Sequence, residues 1–123
     1  SAIWLQIGSD LELLADGLRF LGSLEAERRA AGRGAAAPLR LYGSVFVPSR
    51  QLLARMKFRP WNGVYLSEHY LSSVEAAEQV TRAVLAQYAA HGVEVFVETA
   101  VRSQAEFEHV RELLEPEPEP EPE

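Results

Sequence analysis

The chain has 123 residues, no cysteine, three histidines and a formal charge of −6. That length supports one domain with a real apolar core, and the missing thiols exclude disulfides, thiolate metal sites and cysteine nucleophiles. Its apolar runs fall far short of the roughly 20 residues that cross a bilayer, and SAIWLQIG lacks the basic start of a signal peptide, so a soluble, cytoplasmic protein is expected.

The charge total averages two unlike parts. Between Arg28 and Ser67 there is no Asp or Glu, while Arg28, Arg29, Arg33, Arg40, Arg50, Arg55, Lys57 and Arg59 all fall inside that stretch. The remainder is strongly acidic, ending in EPEPEPEPE from Glu115 to Glu123.

Taken in order, the first strand is Ile3 to Ile7, with Trp4 and Gln6 on the opposite face. A long helix follows, opened by a capping box of Ser9 and Glu12 and carrying Leu11, Leu14, Leu18, Leu21 and Leu24 on one stripe. Gly17 and Gly22 inside it mark a close approach to the sheet. The segment AAGRGAAAPL stops that helix at Gly32 and Gly34. The next strand, LRLYGSVFV, alternates Leu39, Leu41, Val45 and Val47 with Arg40, Tyr42, Ser44 and Phe46. A short helix begins after Ser49, and its first turn has no carboxylate. RPWNGVY is a turn built on Pro60 and Asn62-Gly63.

The second half repeats this plan. A strand from Val64 places Tyr65, Ser67 and His69 opposite Val64 and Leu66. The second long helix starts at the box of Ser72 and Glu75, carries Val74, Ala77, Val80, Val84 and Tyr88 on one stripe, and stops at His91-Gly92. A strand with Val93, Val95 and Val97 opposite Glu94, Phe96 and Glu98 leads to a final helix capped by Ser103 and Glu106. Alternation with period two implies a sheet with helices on one face only. The expected fold is therefore α+β, a two-layer ferredoxin-like βαββαβ sandwich with an inserted short helix and an extra C-terminal helix. A small open α/β sheet of four βα units is the alternative. The domain spans residues 1–114, and residues 115–123 form an extended Glu-Pro tail or linker.

On the uncovered face this reading gathers Trp4, Arg40, Tyr42, Phe46, Tyr65, His69 and Phe96. So many rings call for a cover. A second copy of the chain is the first choice, the final helix with Phe107, Val110 and Leu114 the second, and single-stranded nucleic acid the third. The function expected is a non-enzymatic interaction or regulatory module, homodimeric through that face. Its basic segment, with Arg50, Arg55, Lys57 and Arg59, would meet an acidic protein or other anionic partner. The alternatives are a single-stranded nucleic-acid binder and an enzyme with a small-molecule pocket centred on His69 and Arg40. No metal or other cofactor is implied, because the spacing of His69, His91 and His109 fits no ligand pattern.

Overall fold

A computed structural model describes residues 2–32, 39–61, 64–98 and 103–115. The elements run β1 (Ala2–Leu5), α1 (Leu11–Ala30), β2 (Arg40–Phe46), α2 (Arg50–Phe58), α3 (Glu68–Ser72), α4 (Val74–Ala90), β3 (Glu94–Glu98) and α5 (Gln104–Leu114). The strands form one sheet in the order β1-β2-β3, and both pairings are parallel. Trp4 lies opposite Tyr42, Tyr42 opposite Glu94, Ser44 opposite Phe96 and Phe46 opposite Glu98. The protein is thus α+β, with five helices around three parallel strands among the described residues.

Two expectations about the sheet are corrected. A ferredoxin-like sandwich has antiparallel neighbours, whereas here each strand returns through helix to run beside another in the same direction. The open α/β alternative is nearer in strand direction. The strand expected from Val64 to His69 shrinks to one parallel bridge between Gly8 and Tyr65. Beyond it Ser67 accepts from the Tyr70 amide and starts α3, which carries His69 off the sheet.

Helix starts follow the rule that a short polar side chain satisfies a first-turn amide, with two shifts of one residue. Asp10, not Ser9, caps α1 by accepting from the Leu13 amide. Ser9 instead accepts from the amide of Ser67, tying the end of β1 to the start of α3 at 2.7 Å. Ser73, not Ser72, caps α4 through the Ala76 amide, while Ser72 donates to the carbonyl of His69. Ser103 caps α5 as expected, and Ser49 caps α2 by accepting from the Leu52 amide although no carboxylate completes a box there. Gly32 and Gly92, with φ of 76° and 66°, supply the left-handed residues just past α1 and α4.

The core lies between the sheet and the α1/α4 pair. Leu18, Ala77, Val80, Val84 and Tyr88 pack on Val45 and Val93, with Leu5, Leu41 and Val97 at the margin. At Gly43 the strand backbone lies close against α4: a methyl group there would sit 2.4 Å from a ring carbon of Tyr88. Gly17 and Gly22 are not contact points, since a side chain at either would meet open space. A smaller cluster of Ile7, Phe46, Met56 and Val64 fastens α2 near the end of the sheet. No helix among the described residues is long and apolar enough to cross a membrane. The expected stop at Gly34, the Asn62-Gly63 turn, Arg33 and the tail from 116 onward lie outside the described residues.

Candidate functional site

The parallel register puts Trp4, Tyr42 and Phe96 together on the sheet face away from α1 and α4. The Trp4 and Tyr42 rings are stacked with centroids 5.9 Å apart and 24° between their planes. Phe96 meets Trp4 edge-on at 4.9 Å, a favoured arrangement because the positive ring edge faces a negative ring face. Trp4 also donates its indole N–H to the hydroxyl of Ser44 at 2.8 Å. The same serine's carbonyl accepts from the Tyr88 hydroxyl at 3.2 Å on the other side of the sheet. Ser44 therefore locks the exposed aromatic face to the buried one.

The cluster is ordered yet wet. Trp4 is 51 % exposed and Phe96 53 % exposed. Arg40 lies beside them, its pKa raised first by the Tyr42 hydroxyl and then by the carboxylate of Glu94. One cation and one anion thus border the rings.

At the carboxyl ends of β2 and β3 this face opens into a cleft of about 840 Å³. Phe46, Trp61 and Phe96 supply rings, Arg55, Glu98 and Glu106 supply charge, and Val110 of α5 closes one side. Phe46 is 3 % exposed and meets Trp61 edge-on at 5.2 Å, which orients the indole. His109, also on the wall, is held by the Glu78 carboxylate at 3.0 Å. Ligand sites of parallel α/β sheets form beyond the carboxyl ends of the strands, where the following helices diverge.

The expected site residues divide accordingly. Trp4, Arg40 and Tyr42 come together as expected. Phe46 shares their strand face but is buried under Trp61 and Met56. Tyr65 is 89 % exposed beside the bridge to Gly8, with no ring contact to the cluster. His69, expected to centre a pocket with Arg40, is exposed on α3, off the strand that carries Arg40. Arg50, Arg55 and Lys57 lie on α2 and Arg59 caps its end, all four exposed and none in an ion pair among the described residues. α5 turns Val110 and Leu113 inward and leaves Phe107 half in solvent; it packs along α4, leaving Trp4 and Phe96 exposed.

Sequence reasoning missed Trp61, Glu98 and His109 as cleft residues. Knowing that the strands are parallel would have found two of the walls, because the segments leaving parallel strands share one end of the sheet. Among the described residues no cluster of His, Asp and Glu is arranged to hold a metal ion. Comparison with protein-family models, with curated proteins and with solved structures returns no match.

Proposed function

We propose that the protein is a non-enzymatic interaction module that dimerises through its aromatic sheet face and uses the basic α2 to meet an acidic partner. One observation carries this reading: an all-parallel sheet leaves a ring-bearing face open. Parallel sheets are almost always covered on both faces, and the ring pair of Trp4 and Phe96 stands about half in water. A second copy suits this face because it bears both Arg40 and Glu94, so a two-fold axis can oppose unlike charges around the rings. The free cations of α2 lie outside that ring patch and suit an anionic protein surface.

Sedimentation equilibrium tests the dimer. The wild type is expected to self-associate in the micromolar range, and Phe96→Asp to weaken association about a hundredfold, roughly 3 kcal/mol, with an unchanged circular dichroism spectrum. A wild-type monomer at several hundred micromolar would rule the dimer out. Nucleic acid on the same face is less well supported, because Glu94 and Glu98 point to that side with Phe96. Salt-steep quenching of tryptophan fluorescence by a single-stranded oligonucleotide would favour it over the dimer.

A further inference from the structure

The cleft between α2 and α5 combines aromatic walls with two charges of opposite sign, Arg55 and Glu98. Arg55 and Glu98 both line it, and neither makes an ion pair or a side-chain hydrogen bond among the described residues, with each other or with a third group. Glu98 stands half-buried at the last position of β3. His109 and Glu106, also on the wall, offer less to a guest, since Glu78 already holds His109 and Glu106 has a partner of its own. Beside the neutral Ser49 and Gln51, the charges left without an ion pair in the cleft are therefore the guanidinium of Arg55 and the carboxylate of Glu98. A guest carrying both an anionic and a cationic group answers both.

The walls specify the rest of the guest. Trp61 and Phe96 are each fixed by an edge contact from another ring, Phe46 and Trp4 respectively, so they need little further ordering on binding. Rings held this way favour a flat, ring-bearing ligand. A volume of about 840 Å³ lies within the range of small-molecule sites. A single aromatic amino acid fills part of it, and a di- or tripeptide fills more.

We propose that this cleft binds a small aromatic zwitterion, an aromatic amino acid either free or within a di- or tripeptide. The ring lies against Trp61 and Phe96, the carboxylate meets Arg55 and the ammonium meets Glu98. Phe96 borders both this cleft and the open sheet face, so the variants that test the cleft, at Arg55, Glu98 and Trp61, leave Phe96 in place.

Titration calorimetry with four probes tests it: L-phenylalanine, the dipeptide Phe-Phe, phenethylamine with only the amine, and 3-phenylpropionate with only the carboxylate. The zwitterions are expected to bind at least tenfold more tightly than either single-charge probe. Arg55→Gln should weaken 3-phenylpropionate about tenfold and leave phenethylamine unchanged, and Glu98→Gln should do the reverse. Phe-Phe binding well ahead of L-phenylalanine assigns the site to peptides, and parity assigns it to the free amino acid. Zwitterions no tighter than the single-charge probes, or equal binding by wild type and both variants, would overturn the proposal. Melting temperatures close to wild type check that both variants fold, and Trp61→Leu offers an independent loss of the ring wall.

Discussion

At Gly43 the backbone of β2 comes against the ring of Tyr88, so closely that a β-carbon on residue 43 would lie 2.4 Å from the nearest ring carbon. Glycine is needed there for space, since only Gly32 and Gly92 among the described residues have positive φ. Gly43→Ala should cost about 1–3 kcal/mol, as added bulk in packed cores does, and chemical denaturation would measure it. The Tyr88 ring would have to shift, loosening its hydrogen bond to the Ser44 carbonyl. The sequence does not announce this position: Gly43 reads as one more residue in an alternating strand, while Gly17 and Gly22 look more suspicious and touch nothing. A glycine's role depends on what lies across from it, and that neighbour, Tyr88, belongs to a helix far along the chain.

Among the helices, the starts of α1, α2, α4 and α5 were legible to within one residue because capping is local chemistry, read from four consecutive side chains, whereas the start of α3 was read as strand. The shifts at α1 and α4 arise where two candidate caps stand side by side, Ser9 with Asp10 and Ser72 with Ser73. Tertiary bonding settles the first: Ser9 is engaged by the Ser67 amide. Since Gly17 and Gly22 sit exposed in α1 with free space around them, Gly17→Ala and Gly22→Ala should each stabilise the protein by up to about 1 kcal/mol. Thermal denaturation of the double variant checks this, and a fall in melting temperature would show that one of these positions faces something. The strands were less legible. Val64 to His69 alternates as well as β2 does, yet only Tyr65 reaches a strand neighbour.

Over the whole molecule, burial ties stability to alkaline pH. Tyr70 and Tyr88 both have raised pKa values, chiefly from desolvation, with the rise at Tyr70 reduced by its hydrogen bond to Thr81. A phenol with a raised folded value gives up its proton more readily in the unfolded chain, whose tyrosines titrate near 10. The contribution is therefore complete below about pH 10 and lost as pH climbs through the folded values. Melting temperature should hold from pH 8 to about 10 and then fall, and Tyr88→Phe should soften the fall. An unchanged slope in that variant would show that other groups drive alkaline unfolding.

Strand periodicity determined on its own which side chains share a face, and that was enough to bring Trp4, Arg40, Tyr42 and Phe96 to the side away from the long helices. Helix stripes and caps were likewise written locally, because each depends on residues a few positions apart. Strand direction, the burial of Phe46, the departure of His69 onto α3 and the cleft were decided by tertiary structure. Each rests on contacts between segments far apart in the chain, such as Phe46 with Trp61 or the parallel pairing of β2 with β3. Alternation in a single strand is the same whichever way its neighbour runs, so the end of the sheet that becomes a site appears only when the strands are laid side by side.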